Sequence, residues 1–155
     1  AGGRGGAGGG MIRLIGLESV TIEGTLTAIG EEPPPDNAGC GYHAGGGGGS
    51  GGGVLVAGPS ISGSGKIYAT GGKGGFAANP DWAWAGGGGS GGRIKWVTGD
   101  PNAWGGTFDA AGGAPGQCQP GDGNGHSYDG HPGGDGTTHV TSQWPVAELV
   151  DLGCN

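Results

Sequence analysis

Short apolar runs alternate with polar residues along this chain, and they return in the same order. Met11-Ile-Arg-Leu-Ile15 alternates, Val20-Thr-Ile22 alternates again, and Gly24-Thr-Leu-Thr-Ala-Ile-Gly30 follows. The same order runs through Val54-Leu-Val56 to Gly65-Lys-Ile-Tyr-Ala-Thr-Gly71, and through Ile94-Lys-Trp96 to Gly106-Thr-Phe-Asp-Ala-Ala-Gly112. Alternation over so few positions is the spacing of short strands with one buried face. Gly24, Gly65 and Gly106 stand 41 residues apart each time. In that frame Leu26, Ile67 and Phe108 are equivalent, as are Ile12, Val54 and Ile94, and Leu14, Val56 and Trp96.

A unit this short cannot bury its own apolar face, so neighbouring units must cover it. The expected fold is therefore all-β: a short parallel β-solenoid of three to four repeats, each about 41 residues long. The whole of 1–155 reads as one repeat domain, with repeats near 1–43, 44–84 and 85–125 and a degenerate one at 126–155. Between them lie an acidic turn (Glu31 to Asn37), aromatic loops (Phe76 to Trp84, Gly99 to Trp104) and a polar loop (Pro115 to Gly136). Thr137 to Trp144 reads as one more strand, and Val146 to Leu152 fits a helix or a strand equally.

Composition changes the picture at one point. Of the 155 residues 47 are glycine, and blocks of them open each unit after Ala1, Ala44 and Ala85. Glycine costs about 1 kcal/mol relative to alanine inside a helix, which sets aside a helical core. Collagen needs a strict Gly-X-Y period with abundant proline, and neither is present. The blocks are expected to be extended polyglycine-II-like segments packed side by side, glycine being required where backbones come too close for a Cβ.

The formal charge is −7 and the six basic residues are scattered, which excludes a nucleic-acid surface. No run of about 18 apolar residues offers a helical membrane span. The opening Ala1-Gly2 fits a processed product and a piece of a longer protein equally well.

Three groups of residues carry candidate chemistry. Asp122, Asn124, Asp129 and Asp135, alternating in part with glycine, supply oxygen ligands on a turning backbone; calcium is the ion such a run would hold. Against that stands the ordinary solvated Asp/Gly turn. Trp82, Trp84 and Trp104 lie in loops, as anchors for a partner or a sugar, or as caps on a thin core. Cys40, Cys118 and Cys154 are disulfide candidates, with an odd thiol left over or linking subunits. Ser50 and Ser90 recur without a partnered His and Asp, and no phosphate loop is present, so the chain is not expected to be an enzyme.

Gly86-Gly-Gly-Gly-Ser-Gly-Gly-Arg-Ile94, with Gly65-Lys-Ile-Tyr-Ala-Thr-Gly-Gly72 before it, resembles the glycine-rich β-solenoid repeats of secreted and surface proteins of bacteria. More distantly the chain resembles polyglycine-II proteins, the tail-fibre tip adhesins of phages and glycine-rich antifreeze proteins. The resemblance implies an extracellular or cell-surface structural role. With open strand edges at both ends of a solenoid, the expected partner is a copy of the same chain, added head to tail into a filament. The alternative is an adhesin that binds a glycan or a receptor.

Overall fold

The structure is a computed structural model that describes residues 3–34, 44–77, 82–118 and 126–144. Asp122, Asn124, Cys40, Cys154 and the segment Val146 to Leu152 lie outside the described residues. The fold is all-β with parallel sheets, and a single 3-10 turn (Pro101–Ala103) supplies the described helix. That turn begins where the Asp100 carboxylate accepts the Asn102 amide, 2.9 Å away, with Pro101 in its first position.

The strands are β1 (Met11–Ile15), β2 (Val20–Thr21), β3 (Thr25–Thr27), β4 (Gly53–Gly58), β5 (Ile61–Ser62) and β6 (Lys66–Tyr68). They continue as β7 (Trp82–Trp84), β8 (Arg93–Thr98), β9 (Thr107–Asp109), β10 (His126–Tyr128) and β11 (Thr137–Thr141). The four-stranded sheet runs β1-β4-β8-β11 and a three-stranded one runs β3-β6-β9; β2-β5 and β7-β10 make pairs. Every pairing is parallel, and each partner strand lies one pass of the chain further on.

The register is the one the apolar pattern requires. Ile12 stands beside Val54 and Val54 beside Ile94; Leu14 stands beside Val56 and Val56 beside Trp96. Leu26 stands beside Ile67, and Ile67 beside Phe108. A slip by one residue would turn each of these ladders to the opposite face. The core fills the space between the sheets with Val54, Val56, Ile61, Ile67, Ile94 and Trp96, all buried. Each such side chain contributes about 1.5–3 kcal/mol by leaving water.

The glycine blocks form a second body of structure, in two layers. The front layer holds chains 3–10, 44–52, 85–92 and 129–136, and the back layer holds 28–34, 69–77 and 110–118. Within the front layer the amides of Gly3, Gly6 and Gly9 bond to the carbonyls of Ala44, Gly47 and Ser50 at 2.7–2.8 Å. Gly45, Gly48 and Gly51 bond onward to Trp84, Gly87 and Ser90, and Ala85, Gly88 and Gly91 to Tyr128, His131 and Gly134. One bond every third residue is the turn of an extended threefold helix. The back chains run antiparallel to the front ones and lie in the grooves between them, as Gly86, Gly89 and Gly92 bonding to Gly75, Gly72 and Ala69 illustrates.

Two of the loops expected from sequence are ordered differently. Trp82–Trp84 is a strand, because its backbone pairs with β10 and Trp84 bridges to Ala44. Within the stretch Pro115 to Gly136, residues 129–136 are a fourth front chain, whose Gly130, Gly133 and Gly136 amides bond to the back chain 110–118.

Candidate functional site

Glycine is placed here by crowding rather than by backbone handedness. Gly63 alone among the described glycines has a positive φ, +114°. In the front layer a Cβ on Gly46 or Gly49 would fall on the carbonyl oxygen of Arg4 or Ala7, and one on Gly86 or Gly89 on that of Gly46 or Gly49. Pointing the other way, a Cβ on Gly6, Gly48 or Gly88 would meet a back-layer carbonyl, from Glu31, Gly72 and Gly113 respectively. These columns leave no room for a side chain between layers.

The outermost chains break the rule on the sides that no described glycine chain covers. Arg4 and Ala7 begin the columns that continue as Gly46 and Gly49, and Glu31 begins the one that continues as Gly72. They border a shallow groove of about 330 Å³ that Glu32 and Pro34 complete. At the opposite end Asp129, Pro132 and Asp135 of the fourth front chain stand in the columns of Gly45, Gly48 and Gly51, on the side that no further described chain covers.

The aspartates there have a definite structural task. In the interior of the back layer, the amides of Gly71, Gly74 and Ala77 bond to Ala111, Ala114 and Gln117 of the next chain. One chain later the equivalent residues are Gly112, Pro115 and Cys118. The Asp135 carboxylate accepts the Gly112 amide at 2.9 Å, and the Asp129 carboxylate accepts the Cys118 amide at 2.8 Å. Pro115 has no amide to satisfy. The Cys118 thiol lies 3.0 Å from the Tyr128 carbonyl. Thus two of the four candidate calcium ligands are each engaged at one oxygen by a backbone amide. Among the described residues no three His, Cys, Asp or Glu side chains converge on a place for a metal ion.

The tryptophans separate. Trp104 packs against the core, its ring centroid 4.7 Å from that of Trp96 and 5.8 Å from that of Phe108. Its indole N–H is buried without an acceptor among the described residues. Trp84 instead is 46% exposed, in register with Tyr128, which is 53% exposed. Trp82 contributes its backbone to β7. Tyr128 is not singled out by sequence as the neighbour of Trp84, since its segment reads as a polar loop without the apolar alternation of the repeats.

One more surface stands out. Among the described residues strand β1 is an open edge of the four-stranded sheet; within it Met11 is 81% exposed, with Leu14 and Ile15 also exposed, and Leu17 just beyond it is 86% exposed. No helix among the described residues is long and apolar enough to cross a membrane. No protein-family model matches this chain, and no curated protein sequence matches it either.

Proposed function

We propose that this chain is a non-enzymatic structural module of an extracellular or cell-surface assembly, a β-solenoid of four rungs that associates with copies of itself through an open sheet edge. The observation that supports it is the β1 edge. An edge strand offers a row of unpaired amides and carbonyls, and proteins that remain monomeric usually blunt such edges with charge, proline or a bulge. Here it carries Met11, Leu14 and Ile15, with Arg13 the one charge in the strand. Parallel ladders spaced one pass of the chain apart, together with glycine layers along one flank, support the solenoid reading. The extracellular placement follows from the resemblance to secreted glycine-rich repeats. Sedimentation of the purified chain under reducing conditions, over a wide range of concentration, tests it: association is expected, and a monomer throughout rejects it.

A second reading, a glycan-binding module, has one observation in its favour. Trp84 and Tyr128 present adjacent half-exposed rings beside a front surface where Gly47, Gly87, Ser50 and Ser90 leave little relief. Flat aromatic faces suit stacking against sugars. Binding on a glycan array that Trp84→Ala abolishes would favour this reading.

A further inference from the structure

We propose that self-association stops at a two-fold dimer, with β1 of one copy paired antiparallel to β1 of a second. This rests on the self-association reading above and replaces head-to-tail growth. In the first rung the front glycine chain 3–10 runs directly into β1, and in the last, 129–136 runs directly into β11. Head-to-tail addition that set β11 of one copy beside β1 of the next would therefore carry 129–136 against 3–10 at the same time.

Both of those chains have side chains on the meeting face. At interior spacing, a Cβ in the columns of Arg4 and Ala7 lands on the carbonyl of the preceding chain, as Gly46 and Gly49 demonstrate. Pro132 stands in the column of Gly88, whose amide bonds to the next front chain, and it has no amide to offer. The back layer repeats the obstruction. Glu31 occupies the column of Gly72, while at the far end the Gly112 and Cys118 amides are already taken by Asp135 and Asp129. Each glycine layer is thus terminated at both ends.

Antiparallel pairing avoids the conflict. Reversing one strand sends the two front layers away from each other on opposite sides of the two-fold axis. The β1 end is also the apolar one: on β11, Val140 is the exposed large hydrophobic, among Thr137, Thr138 and His139. Such a contact uses the same patch on both partners and closes on itself, and the β11 edges left at the two outer ends offer Val140 alone as an exposed large hydrophobic.

The test is sedimentation velocity of the full chain in reducing buffer, beside the double variant Met11→Lys/Leu17→Lys, whose two sites are exposed enough to leave the core untouched and whose added charges, with Arg13, repel across the pair. The expected result is a wild-type dimer, with dimerisation of the variant needing about tenfold or more protein. An open-ended series of species or filaments overturns the two-fold contact while leaving self-association standing. A dimer indifferent to the double variant overturns the assignment to β1. A wild type that remains monomeric overturns the self-association reading, and this inference with it. Should the double variant not fold, Arg13→Cys at the centre of the strand, in a chain whose three cysteines are serine, gives a second measurement. Oxidation is expected to trap a covalent dimer and nothing larger; absence of that dimer overturns the pairing.

Discussion

The carboxylate of Asp135 accepts the amide of Gly112 at 2.9 Å, standing where the carbonyl of another glycine chain would be. One chain earlier the equivalent amide, that of Gly71, bonds to the carbonyl of Ala111 at the same 2.9 Å. A charged acceptor on an end-facing amide contributes about 1 kcal/mol at an exposed site. Asp135→Ala is therefore expected to lower Tm by about 2–4 °C, and Asp135→Asn, which retains an acceptor, to recover most of the loss. Equal melting of the alanine variant and the wild type would remove the capping role.

Two glycines two residues apart should answer the same substitution in opposite directions. A Cβ on Gly49 falls on the Ala7 carbonyl, whereas a Cβ on Gly47 has its nearest neighbour, the Gly87 carbonyl, at 3.7 Å. Neither residue has a positive φ. Gly49→Ala is expected to cost about 3 kcal/mol or more, by forcing two chains apart. Gly47→Ala is expected to be neutral or to stabilise by about 0.4–1 kcal/mol, through the smaller entropy of the unfolded chain. Urea denaturation of the pair decides it; equal losses would mean that the glycine layers are not packed this tightly.

Amide exchange should sort the front layer by the same logic. The amides of Gly48 and Gly51 bond to Gly87 and Ser90 inside the layer, at 2.9 and 2.7 Å. The Ala7 amide, on the open side of the first chain, has no carbonyl partner among the described residues. Exchange at Gly48 and Gly51 is expected to be slow, and at Ala7 fast, measured by NMR on the same sample. Uniformly fast exchange would mean that the layers open independently of the core.

How much of this was legible in the sequence depends on what each residue touches. Leu26, Ile67 and Phe108 could be aligned from the text alone, because a buried strand face imposes the same apolar residue type each time it recurs. The fourth front chain could not be read in this way. Its outer face meets no further glycine among the described residues, so Asp129, Pro132 and Asp135 are admitted there, and they disguise the chain as a polar loop. In the sequence Asp129 and Asp135, following Asp122 and Asn124, imitate a calcium loop, while in the structure Asp129 and Asp135 serve amides of the back layer. Trp104 reads from sequence equally as an anchor for a partner or as a cap on a thin core, and the three-dimensional approach of β8 and β9, which brings it onto Trp96 and Phe108, decides for the core.

That aromatic group gives a last expectation. Trp96 is buried at 1% exposure, with its ring centroid 4.7 Å from Trp104 and 5.1 Å from Phe108, the latter edge to face. Truncating a buried tryptophan to alanine costs about 3–5 kcal/mol, from lost transfer energy and the cavity left behind, so Trp96→Ala is expected to unfold most of the chain under mild denaturant. Trp104 carries an opposing effect, since its buried N–H lacks an acceptor among the described residues, a penalty of about 1–3 kcal/mol. Replacement by phenylalanine gives up part of the ring contact but removes that penalty. Trp104→Phe is therefore expected to cost less than Trp96→Phe by about 1 kcal/mol or more, read from paired urea denaturation curves. A larger loss at Trp104 would mean that its N–H finds a partner in solution, with a bridging water as the first candidate to look for.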